Sequence, residues 1–129
     1  MTAIFDTGLA LRASRDGSST VEFALVAPIL VMFLIGGMCL SMLGFTASSL
    51  HYAAEAGARC ASINTTTCSN ATNIQNYALN QFINVTGNTA TFTASTPNCG
   101  NKVAASVNFP LLGGITKLTV PLSASACFP

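Results

Sequence analysis

The chain has 129 residues, a length for one domain. Half of the residues are apolar and only 7% are charged, against about 25% in a soluble domain. Net charge is +1, with five scattered basic residues, so there is no basic patch for nucleic acid.

Residues 1–17 read as a short polar head carrying Asp6, Arg12, Arg15 and Asp16. Gly17-Ser18-Ser19-Thr20-Val21-Glu22-Phe23 follows, and no Asp, Glu, Lys or Arg occurs from Phe23 to Leu50. The most apolar part is Phe23 to Phe45, 23 residues. At about 1.5 Å per residue it is long enough for a hydrocarbon layer of about 30 Å. An alanine-rich stretch continues to Ala61, with Glu55 and Arg59 four apart in the order that favours helix. The pattern predicts one long helix from Ser18 to Ala61, half in lipid and half projecting from it. Pro28 should kink it, because it lacks an N–H and its ring crowds the preceding turn.

Residues 63–72 are rich in Thr and Asn and read as a loop. From Thr72 to Val85, the residues Ile74, Tyr77, Ala78, Phe82 and Val85 recur at helical spacing, with Asn70 or Thr72 as cap. Three strands are expected after that. Ala90, Phe92 and Ala94 alternate with threonines and a serine; Val103, Ala105, Val107 and Phe109 alternate likewise; Leu118, Val120 and Leu122 make the third run. Turns fall at Pro97–Asn101 and around Pro110, Gly113 and Gly114. Pro121 cannot donate to a ladder, so the third strand should be an edge or bulged. The fold class is α+β: a long N-terminal transmembrane and stalk helix, 18–62, then a small helix-plus-antiparallel-sheet head, 63–129. So small a head is marginal alone and needs a staple or neighbours.

Three readings of the N-terminal region compete. It could be a secretory signal peptide, a plain signal anchor, or a leader removed just ahead of an apolar segment that stays attached. The apolar run exceeds the usual signal core of about 7–15 residues. Glu22 at the start of a spanning helix is unfavourable in lipid unless it gains a partner, which marks it as a functional residue. The bland alternative is a Glu22 solvated among the headgroups.

Gly17, four residues, then Glu22 and aromatic Phe23 resemble the processing site of type IV pilins and pseudopilins. The run from Val21 to Leu30, with Pro28, is similar more specifically to the TadE-like family of tight-adherence (Tad/Flp) pilus systems. Ala53-Ala54 and Gly57-Ala58-Arg59 resemble that family's helix end, although the family often has a basic–acidic pair where this chain has Glu55-Ala56. The run Val107-Asn108-Phe109-Pro110-Leu111-Leu112-Gly113 with Leu118-Thr119-Val120 is similar more loosely. The resemblance implies a leader, residues 1–17, cut by a prepilin peptidase between Gly17 and Ser18. Glu22 would become the fifth residue of the mature chain and pair with the N-terminal amine of a neighbouring subunit. It further implies a pseudopilin or minor pilin, not an enzyme, used in assembling an adherence pilus. Its partners would be the peptidase, the assembly platform, other pilins and the lipid bilayer, with no nucleic acid and no cofactor. It would sit in the bacterial inner membrane as a single pass, possible incorporation into an extracellular pilus being left open. Arg12 and Arg15 against Arg59 favour a cytoplasmic N-terminus and a periplasmic head.

Gly37, Ser41, Gly44 and Ser48 line one stripe of the helix, as close helix packing in lipid requires. Generic membrane-helix composition gives the same pattern. Cys39 lies in the span and reads as packing. Cys60, Cys68, Cys99 and Cys127 fall in the exported part, where disulfides form. Of three connectivities, Cys60–Cys68 and Cys99–Cys127 are favoured; a four-thiolate zinc site lacks a closely spaced pair. His51 is the lone histidine and has no catalytic partners in sequence. The sequons at Asn64, Asn70 and Asn84 read as chance in Asn/Thr-rich sequence. The rival function is an exported or membrane-anchored binding domain with an ordinary signal sequence.

Overall fold

A computed structural model describes residues 16–111 and 117–129. Arg12 and Arg15, most of the expected leader, and the turn residues Leu112, Gly113 and Gly114 lie outside the described residues. The chain divides into two compact units, one ending at Gly36 and the other spanning Gly37–Pro129.

Helix α1, Asp16–Ile63, contains Pro28 and takes in residues of both units. In the first unit its described side chains are almost all exposed, as an apolar helix with no protein cover must be. Burial on α1 begins at Thr46 and then recurs at Ser49, Leu50, Ala53, Ala54, Gly57 and Ala58. This spacing puts one stripe of the helix against the rest of the second unit. The stripe is mostly alanine and glycine, so the helix backbone approaches its neighbours closely.

Helix α2, Ala71–Gln81, is capped by Asn70, whose side chain accepts the Asn73 N–H at 2.8 Å. It stops four residues short of the expected end at Val85. Phe82 turns extended and packs edge-on against Phe92, with ring centroids 6.2 Å apart. The next N–H, that of Ile83, is taken by Ser49 Oγ of α1 at 2.9 Å instead of a carbonyl of α2. A tertiary hydrogen bond thus replaces the helical one and ends the helix.

Strands β1 (Thr91–Ser95), β2 (Asn101–Pro110) and β3 (Thr119–Phe128) form an antiparallel sheet in the order β1-β2-β3. Phe92, Val103, Ala105, Val107, Phe109 and Ala124 are buried on its inner face. They join Leu50, Ala53, Ala54 and Ala58 of α1 and Ala78 of α2 in one core, apart from Phe109, which is buried beside it. The third strand is longer than its Leu118–Leu122 signal, because Ala124, Ala126 and Phe128 continue the inward alternation with residues too small or too terminal to stand out.

β3 is an edge strand, as Pro121 requires. Pro121 stands opposite Asn108. The Leu111 N–H donates to the Leu118 carbonyl at 3.0 Å, so odd positions of β2 bond to β3 and Asn108 faces away from it. The Asn108 carbonyl accepts from the Asn88 side chain. The missing N–H of Pro121 therefore points to the open edge, where nothing needs it.

Two disulfides, Cys60–Cys68 and Cys99–Cys127, tie the unit together. The first closes the turn from α1 towards α2. The second joins the β1–β2 turn to the end of β3. Ser62 lies between them: its hydroxyl donates to the Phe128 carbonyl at 3.3 Å and accepts from Asn101 Nδ2 at 3.1 Å. Gly100 has φ of 112°, and a Cβ there would stand 2.3 Å from the Phe128 carbonyl oxygen. Only glycine fits this approach.

Candidate functional site

The candidate site is a surface of α1. Ala, Leu, Val, Met and Phe dominate from Val21 to Phe45, so intrahelical hydrogen bonds can satisfy the backbone in lipid. The helix from Ser19 to Ile63 contains an 18-residue window of mean hydropathy 2.5, none of it buried by protein. Phe23 is 71% exposed and Phe33 77%. These side chains have no internal partner, and the hydrophobic effect requires that something other than water cover them.

Gly17 and Ser18 lie in the first turn of α1. Glu22 follows one turn later on the exposed helix, and Phe23 beside it is exposed. Glu22 makes no ion pair among the described residues, where the one salt bridge joins Arg59 to Glu55 at 2.6 Å. Pro28 leaves the Ala24 carbonyl without its helical donor, and the helix continues past it.

Gly37, Ser41, Gly44 and Ser48 are all in the second unit and all exposed, and a Cβ at Gly37 would meet nothing within 4 Å. A Cβ at Gly44 likewise meets nothing within 4 Å. The Ser41 hydroxyl donates to the Met38 carbonyl at 2.8 Å, which satisfies it within the helix. Cys39 is the free cysteine and is half-buried.

Elsewhere the chemistry is sparse. Cys60, Cys68, Cys99 and Cys127 are spent in two disulfides, so none is a thiolate ligand. Among the described residues, no three His, Cys, Asp or Glu side chains come together as a metal site. His51 and Tyr52 are exposed on α1. A shallow concavity beside them, lined by Tyr52, Glu55, Arg59, Ile63 and Tyr77, holds an exposed ion pair and two phenols.

Residues 17–59 match the model of the TadE-like protein family. The match begins at Gly17 and ends at Arg59, and it takes in Glu22, Pro28, the exposed apolar residues from Val21 to Phe45 and the buried stripe to Ala58. No curated protein and no solved structure matches the chain. The match lies on a helix that is long and apolar enough to cross a membrane.

Sequence reasoning found the apolar helix and both cysteine pairings. It gave Gly57 only as part of a family-like run. Gly57 is where α1, α2 and β2 meet, since a Cβ there would lie 3.1 Å from Ala78 Cβ and 3.4 Å from Val103 Cγ2. It missed Ser49, the anchor of Ile83. A serine between apolar residues gives no signal until its partner, 34 residues away, is known.

Proposed function

We propose that this chain is a pseudopilin or minor pilin of a Tad-type adherence pilus, processed by a prepilin peptidase between Gly17 and Ser18. The observation that carries the reading is the coincidence of a TadE-like match starting at Gly17 with an uncovered apolar stretch of helix that has Glu22 at its head. Cleavage frees the Ser18 amine, a cation. In a second subunit Glu22 offers the opposite charge in a medium of low dielectric. A carboxylate near lipid is costly alone and tolerable when neutralised. Each incoming subunit would supply the amine for one carboxylate, so the pair favours subunits added in register. Pro28 and the Gly37, Ser41, Gly44 and Ser48 stripe serve the same packing, by bending the helix and by letting neighbours approach. The exported part faces the periplasm in this reading, where its disulfides form.

N-terminal sequencing of the protein extracted from membranes tests it. A start at Ser18 is expected, and replacing Gly17 with a bulky residue should leave the precursor uncut. A native protein that begins at Met1, or one that begins after about residue 45 as a secretory signal would leave it, ends this reading. Glu22→Gln should be cut normally and yet fail to restore piliation in a strain lacking the gene. Full piliation would remove the pairing role.

A further inference from the structure

The second unit carries exposed apolar side chains at the end where α1 leaves it. Ile83 is 60% exposed, Val85 45% and Leu118 63%. Hydrogen bonds fix the level of Ile83 and of Leu118. Ser49 Oγ holds the Ile83 N–H, and Asn88 binds the Asn108 carbonyl near the β2–β3 connection. Leu118 lies at that connection, bonded through its carbonyl to Leu111. The opposite end of β3 meets Ser62 through Phe128, so Leu118 belongs to the end near Ser49 and Phe45. Exposed Lys117 adjoins Leu118.

Ser49 follows Phe45 by four residues, a rise of about 6 Å. The polar layer outside the hydrocarbon is about 5–7 Å deep on each side. Phe45, Leu40 and Met38 of the same unit are exposed and apolar up to the point where burial begins at Thr46. The lip therefore begins at Ile83, whose N–H is held one helical turn beyond the last exposed apolar residue of that surface, Phe45.

We propose that this lip is a membrane-contact surface, with Ile83, Val85 and Leu118 seated in the interfacial layer of the bilayer and Lys117 among its phosphates. Amphipathic surfaces with apolar side chains beside Lys bind at this depth. Leu118 and Ile83 hang from separate connections, so seating both would hold the head against the membrane instead of leaving it free on its helix until a subunit is taken up. The inference rests on the membrane-anchored reading of α1.

The chain contains no tryptophan, so single tryptophans report cleanly. The full chain is prepared as Ile83→Trp, Leu118→Trp, Ile63→Trp and Phe33→Trp and reconstituted in phosphatidylethanolamine–phosphatidylglycerol vesicles with lipids brominated at shallow or deep acyl positions. Intact mass confirms both disulfides in each variant. Ile83→Trp and Leu118→Trp should be quenched by shallow bromines and be several-fold less open to aqueous acrylamide than Ile63→Trp, at the far end of the unit. Phe33→Trp should be quenched by deep bromines. Acrylamide access at both lip positions equal to that of Ile63→Trp, with Phe33→Trp deep, overturns the lip alone. An unquenched Phe33→Trp overturns the anchoring itself. Protection at the lip that disappears on dilution with lipid also overturns the proposal and assigns the surface to a second copy.

Discussion

Gly57 of α1 meets Val103 of β2 with no side chain between them: a Cβ on Gly57 would stand 3.4 Å from Val103 Cγ2 and 3.1 Å from Ala78 Cβ. Alanine at this position would gain about 1 kcal/mol of helix propensity. Neither the Ala78 methyl nor the branched Val103 can rotate away, and overpacking costs about 1–3 kcal/mol. Gly57→Ala should therefore lower the stability of the second unit slightly, and Gly57→Leu should prevent its folding. Thermal unfolding of the detergent-solubilised chain reads both; a stabilised Gly57→Ala would show that the sheet moves aside freely.

Ser49→Ala should destabilise the unit by about 1–2 kcal/mol, because it leaves the part-buried N–H of Ile83 without an acceptor. Amide hydrogen exchange at Ile83 should quicken while exchange at Phe92 slows or speeds only with global stability. Unchanged exchange at Ile83 would mean that water replaces the serine.

The two disulfides close segments of different length, with sequence separations of 28 for Cys99–Cys127 and 8 for Cys60–Cys68. In the loop-entropy account, losing the longer one costs about 1 kcal/mol more. Double Cys→Ala variants of each pair, compared by denaturant midpoint, check this. An equal loss would shift the explanation to contacts made in the folded state.

Gly100→Ala should be severe, at about 2 kcal/mol or more, since φ is 112° and the new Cβ would meet the Phe128 carbonyl. Gly87 is the control: its φ is 73° but a Cβ there meets open space. Gly87→Ala should cost about 1 kcal/mol. The order of the two melting temperatures is the measurement, and a reversed order would contradict the packing of β3 against the β1–β2 turn.

The strands were legible because Phe92, Val103, Val107 and Phe109 alternate with polar residues in a period that only a half-buried strand satisfies. The end of α2 was not legible. Ile74, Tyr77, Ala78, Phe82 and Val85 keep the helical period, yet the helix stops when Ser49 takes the next N–H. The stalk was legible as a helix and not as a core element, because an alanine row such as Ala53, Ala54 and Ala58 fits an exposed helix as well as a close packing face.

Sequence alone determined the apolar helix, its carboxylate at Glu22 and the alternation of the strands, because each depends only on composition and spacing along the chain. Tertiary structure decided that α1 from Thr46 onward is the floor of the core, that Gly57 and Gly100 are fixed by close approach, and that Ile83 and Leu118 share one end of the unit. Those facts depend on groups 20 or more residues apart meeting in space, and no local pattern records a meeting of that kind.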